Sequence, residues 1–140
     1  MAISFSNIVY DKIINNLATL LNNEFNINVF YDEHKGNQSF LITPLSDTLE
    51  GYLSSGNERS YEIEIEYSLK IGGQYTKNNF KQISNIMERV KRLIFNNKSY
   101  SNGDAWFDGQ ISNIDYIREE DDLTILKAKA IFNCTNIEII

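Results

Sequence analysis

Cysteine is all but absent from this chain. Cys134 is the only one, so no intrachain disulfide can form, and a reducing compartment fits that usage. Histidine also occurs once. His34 sits in the polar turn Asp32-Glu33-His34-Lys35-Gly36 with no Ser or Cys nucleophile read beside it, so a solvated turn residue is the expectation. No catalytic residue is assigned, and no enzyme is expected. Glycines do not gather into a phosphate cradle: Gly72-Gly73 lacks the further glycines and the Lys-Ser/Thr pair of a P-loop or dinucleotide motif, and reads as a turn. No cofactor is expected. Apolar runs of about 18 residues are missing, as is a basic segment leading through an apolar run to a small-residue cleavage site. The expectation is a chain starting at Met1 or Ala2 in the cytoplasm, with no membrane partner. Positive charge is scarce as well. A net charge of −6 and a pI near 4.8 argue against a nucleic-acid binder held by phosphate contacts, although DNA can still slide past such a surface.

What is present is size and pattern. At 140 residues, 42% apolar and 23% charged, the chain is long enough for one domain with its own core, expected over residues 1–140. The most regular stretch is 60–97. Tyr61, Ile63, Ile65, Tyr67, Leu69 and Ile71 alternate with Glu62, Glu64, Glu66, Ser68 and Lys70, the period of a strand with one buried face. After Gly72-Gly73, Thr76 is a candidate helix cap, and Phe80, Ile83, Ile86, Met87, Val90, Leu93 and Ile94 recur at helical spacing. Lys77, Lys81, Arg89, Lys91 and Arg92 against Glu88 give that helix a net charge of +4. Faces of opposite sign suit self-assembly.

Elsewhere the pattern is shorter. Ser4 or Ser6 can cap a first helix striped by Tyr10, Ile13, Ile14, Leu17, Leu20 and Leu21 and ending near Asn22 or Asn23. Residues 27–31 and 40–43 read as short strands. The second should stop at Pro44, which cannot donate to a ladder, or lie at a sheet edge. Residues 45–59 have little periodicity and read as a long loop. Loops of that length are commonly functional or disordered, so this one is either a contact arm, docking through Leu49, Tyr52 and Leu53, or a plain excursion. Residues 105–119 form a strand whose phase slips, and a bulge near Asn113 would place Phe107, Ile111, Ile114 and Tyr116 on one face. Trp106 and Phe107 read as core. A last strand follows, with Leu126, Ala128, Ala130, Phe132 and Cys134 on one side and Lys127, Lys129 and Ile131 on the other. This order predicts an α+β fold, a mostly antiparallel sheet of about five strands with two helices packed on one face.

Charged constellations are open to more than one reading. The row Glu62, Glu64, Glu66 is a solvated face, or pairs with Lys127 and Lys129, or lines a channel where carboxylates would keep phosphates from sticking. Glu119, Glu120, Asp121 and Asp122 read as a solvated turn, since the ligand alternation and central Gly of a calcium loop are missing and no metal site is assigned. The basic helix face lacks the interleaved aromatics of a single-strand binder and fits an acidic surface of a neighbouring copy at least as well.

Element order and length resemble the tail terminator proteins of long-tailed bacteriophages: an N-terminal helix, two early strands, a loop that orders on assembly, a strand like 61–67, an amphipathic helix like 80–95 and a closing hairpin like 106–134. The resemblance implies a homo-oligomeric ring, a hexamer, in the virion at the head-proximal end of the tail and assembled in the host cytoplasm. Its partners would be the tail tube protein and a head-tail connector or stopper, with DNA passing through the channel without specific binding. Lys77, Lys81, Arg89, Arg92, Leu49, Tyr52 and Leu53 are the expected subunit interface, and Glu62, Glu64 and Glu66 an acidic channel or interface face; these come from charge and pattern. Another head-tail joining or tail completion ring protein is the nearest alternative, and a small ligand-binding domain or enzyme a more distant one.

Overall fold

The computed structural model describes residues 2–71, 77–118 and 124–139. The expectations for Gly72-Gly73, Thr76 and the tetrad Glu119, Glu120, Asp121 and Asp122 lie outside the described residues. Five strands form one sheet, β1 (Val29–Phe30), β2 (Gln38–Leu53), β3 (Gly56–Lys70), β4 (Phe107–Arg118) and β5 (Ile125–Ile139), in the spatial order β1-β2-β3-β5-β4. Only the β1–β2 pair is parallel. The helices are α1 (Asn15–Phe25), entered through a π-helical stretch Ile8–Ile14, and α2 (Lys77–Asn96). The α+β architecture is therefore the one the pattern predicts.

The core lies between one sheet face and the helices. Phe40 and Ile42 from β2, Tyr61, Ile63, Ile65 and Tyr67 from β3, and Leu126, Ala128, Ala130, Phe132 and Cys134 from β5 are buried against Ile13, Ile14, Leu17 and Leu21 of the first helical segment and Ile83, Met87, Val90 and Ile94 of α2. Each fully buried Ile or Leu contributes about 1.5–3 kcal/mol relative to staying in water. Trp106 closes the core beside Phe132, stacks on Tyr100 and donates its indole N–H to the Asn97 carbonyl at 2.9 Å. Phe107 is half-buried.

Four boundaries differ from expectation. The first helix is capped by Asn7, whose Oδ1 accepts from the Tyr10 N–H at 3.1 Å, and not by Ser4 or Ser6. It runs to Phe25 because Asn26, at φ 54, supplies the left-handed residue that ends it. Residues 45–59 are not a loop: they are the upper halves of β2 and β3, turned at Ser54 and Ser55. Pro44 does not break β2. Its pairing with β3 slips one position between Pro44 and Ser46, and on the opposite edge of β2 no strand among the described residues pairs beyond Leu41, so the missing N–H, which points to that side as the Phe40 N–H does, falls on a free edge. In β4 a slip between Ile111 and Asn113 puts Ile111, Ile114 and Tyr116 opposite Phe132, Ala130 and Ala128 on the core face. Phe107, however, sits opposite Thr135 on the other face, because a second irregularity at Asp108 and Gly109, with Asp108 at φ 53, shifts the phase once more.

The upper part of the β2–β3 hairpin, paired with the end of β5, forms an arm. Gly56 is needed at its tip, since a Cβ there would run into the Glu138 carbonyl oxygen. Arg59 binds the arm crosswise, reaching Asp47 of β2 at 3.1 Å and Glu138 of β5 at 3.0 Å.

Candidate functional site

The sheet face turned away from the core carries the acidic row, and burial grades along it. Glu62 is exposed and, among the described residues, only the Ser46 hydroxyl donates to it, at 3.3 Å. Glu64 has a 19% exposed side chain and lies 3.7 Å from Lys129. Glu66 has a 9% exposed side chain and meets Lys129 at 3.5 Å and Lys127 at 3.9 Å. These lysines come from β5, which lies beside β3 in register. Two of the three carboxylates are thus paired across strands.

Glu66 has a further partner that the sequence hid. The turn before β2 folds over the sheet and places His34 between Ser39 and Glu66, 2.7 Å from each. An ionised carboxylate can only accept, so His34 Nε2 carries a proton toward Glu66, and in the neutral ring Nδ1 accepts from the Ser39 hydroxyl. His34 is therefore no free turn residue, and a serine does lie beside it. Burial pushes the Glu66 carboxyl up, but the His34 hydrogen bond and the charges of Lys127 and Lys129 outweigh it and hold the group below its usual value. For Lys129, burial pulls the ammonium down while Glu64 and Glu66 prevail and raise it.

Serine, imidazole and carboxylate in a line invite a hydrolase reading. The surroundings oppose it. Ser39 is 1% exposed and does not line the neighbouring depression of about 330 Å³, which is bounded by Glu33, His34, Leu41, Glu66, Ser68 and Lys127 among others. A substrate carbonyl resting there would not meet the Ser39 oxygen. What the trio does is clamp the turn to the sheet.

No protein-family model matches the chain, and no curated protein matches it. The reading of its surfaces rests on their chemistry.

On α2, the four cations assigned to an interface divide. Arg89 is committed within the chain: its guanidinium donates to the Glu24 carbonyl at 2.9 Å and carboxylate at 3.2 Å and lies over the Phe25 ring at 4.4 Å, fastening α2 to the end of α1. Lys77, Lys81 and Arg92 are exposed and have no ion-pair partner among the described residues. Lys91 is paired with Glu88 at 2.6 Å. On the arm, Leu49, Tyr52 and Leu53 are exposed, Tyr52 at 81%. Sequence reading missed a second apolar surface, where Ile3 and Phe5 stand beside Ile137 and Ile139 around an open cleft. Alternation at Ile3 and Phe5 was the only local signal for it. Cys134 is buried, and burial pushes its thiol up to about 12, so it offers no nucleophile at neutral pH. Among the described residues no three His, Cys, Asp or Glu side chains are grouped to hold a metal ion.

Proposed function

We propose that this chain is a structural ring protein of a long-tailed phage virion, a tail terminator. In this reading it caps the head-proximal end of the tail tube, ends tube polymerisation and offers its other face to a head connector or stopper. The observation that carries it is the arm: a braced, solvent-exposed hairpin bearing Leu49, Tyr52, Leu53 and unpaired carboxylates on a molecule whose best-assembled polar cluster, His34, Ser39 and Glu66, is closed on itself. Helix, strands, helix and closing hairpin come in the order of the family that the sequence resembles, except at 45–59, where a β2–β3 hairpin stands in place of the loop that the resemblance implies. The single domain then acts as scaffold and contact surface, without a cofactor and without a reaction to catalyse.

The test is negative-stain microscopy of the purified protein mixed with tail tubes assembled from the same phage's tube protein. Six-membered rings at one tube end, with tube growth arrested, are the expected result. Tubes that stay uncapped and keep growing while the protein sediments as a monomer would overturn the reading.

A further inference from the structure

Two rows of charge without an ion-pair partner among the described residues lie at opposite sides of the molecule. On the arm, Glu58 and Glu62 share the outer sheet face with Leu53, which sits opposite Gly56 in the β2–β3 ladder. Neither carboxylate has a cation partner among the described residues; Asp47 and Glu138, by contrast, are taken by Arg59. On α2, Lys81 and Arg92 are three helical turns apart and so lie on one stripe, with exposed Phe95 one turn further on. The acid on that stripe, Glu88, is paired with Lys91 at 2.6 Å, and the charge of Arg92 one turn on adds to its stabilisation without a direct contact.

The rows match in order and in length. From root to tip the arm reads Glu62, Glu58, Leu53, and α2 reads Lys81, Arg92, Phe95 toward its C-terminus. Four strand residues separate the carboxylates by ~13 Å, and eleven helical residues separate the cations by ~16 Å, a difference that long side chains absorb. Within one chain they do not meet, because α2 lies over β4 and β5 while the arm is built on β2 and β3.

We propose that the arm of one copy lies along α2 of the next, pairing Glu62 with Lys81 and Glu58 with Arg92 and seating Leu53 on Phe95. This inference rests on the ring reading and names its contact. Such an interface joins unlike patches head to tail, so it propagates from copy to copy and closes as a ring when the rotation per subunit allows. Opposite charge sets register and partner choice, and the apolar tip excludes water at one end.

The test is sedimentation velocity and tube capping by the full chain at about 0.1 M salt, where exposed charges still act over ~10 Å. The variants are K81E/R92E, E58K/E62K and all four together. Each double reversal should weaken self-association or capping about tenfold or more, and the fourfold variant should restore it. At about 1 M salt the differences should vanish as the screening length falls to ~3 Å. Matching thermal melts exclude misfolding; Glu62, Lys81 and Arg92 are exposed and Glu58 is half-buried. Doubles that assemble and cap like the parent, or a fourfold variant no better than the doubles, would overturn this contact and leave the ring reading standing. A parent protein that neither self-associates nor caps overturns both.

Discussion

Glu66→Ala should damage the fold far more than Glu62→Ala, four residues away on the same face of the same strand. The first change strips a hydrogen-bond acceptor from His34 at 2.7 Å and removes one counter-charge from Lys127 and from Lys129, the latter keeping Glu64 at 3.7 Å. Hydrogen bonds to charged groups contribute about 1.5–3 kcal/mol, and removing one partner of a buried pair costs about 3–5. This site opens on a depression, so a loss of about 2–3 kcal/mol is expected. Glu62 stands in water, where substitutions stay within about 0.5 kcal/mol. For a chain of this size, each kcal/mol moves Tm by about 2–4 °C, giving a drop of about 4–12 °C against about 2 °C or less. Urea unfolding of both variants, with His34→Ala and the double mutant, completes the measurement, and a coupling of about 1–3 kcal/mol between His34 and Glu66 is expected. The acid limb gives an independent check. Because the folded carboxyl titrates below its unfolded value, its contribution is present above the unfolded pKa and is lost as pH falls through the folded one. The gap between parent and Glu66→Ala should therefore narrow as pH falls below the ordinary carboxylate range. Equal stabilities for the Glu66 and Glu62 variants, or additive effects of His34 and Glu66, would refute the clamp.

Other changes probe the arm and the core. Gly56→Ala should cost about 1–3 kcal/mol, because the added methyl pushes on the Glu138 carbonyl and parts β3 from β5. Hydrogen exchange should then quicken along 46–53 ahead of the core; unchanged protection there would show that the glycine is not needed. Cys134 should resist a thiol reagent at pH 8 in the native protein and react at once in denaturant, as its burial and a pKa of about 12 require. Rapid native labelling would mean that β5 opens in solution.

How much of this was legible in the sequence depends on how local each cause is. The strict alternation of Tyr61 to Leu69 and the helical spacing of Ile83 to Ile94 survive in the structure because each element buries one unbroken face. The Ile111 slip was readable for the same reason: one visible phase change needs one extra residue. The arm was not. Core-facing positions of β2 are Phe40, Ile42 and Pro44, then Asp47 and Leu49 after the first slip, then Tyr52 after the second, so the period of two is broken twice in 16 residues. Pro44 and the small residues look like breakers when the partner strand is unknown. His34 and Glu66 are 32 residues apart and Arg89 and Glu24 are 65 apart. No window along the chain can join them.

These hidden pairings change which charges remain for a partner. Counted from the sequence, Glu62, Glu64 and Glu66 are equivalent, as are Lys81, Arg89 and Arg92. In the fold, Glu66 and Glu64 are paired with lysines of β5, and Arg89 with Glu24, so the outer ends of both rows are what stays open. The open carboxylates move toward the arm and the open cations toward the solvent stripe of α2. A charge reversal at Arg89 would thus loosen α1 from α2 within one molecule, and a resulting loss of assembly would say nothing about the contact between copies. Lys81 and Arg92 carry no such internal duty among the described residues, which is why they, with Glu58 and Glu62, are the substitutions that separate folding from association.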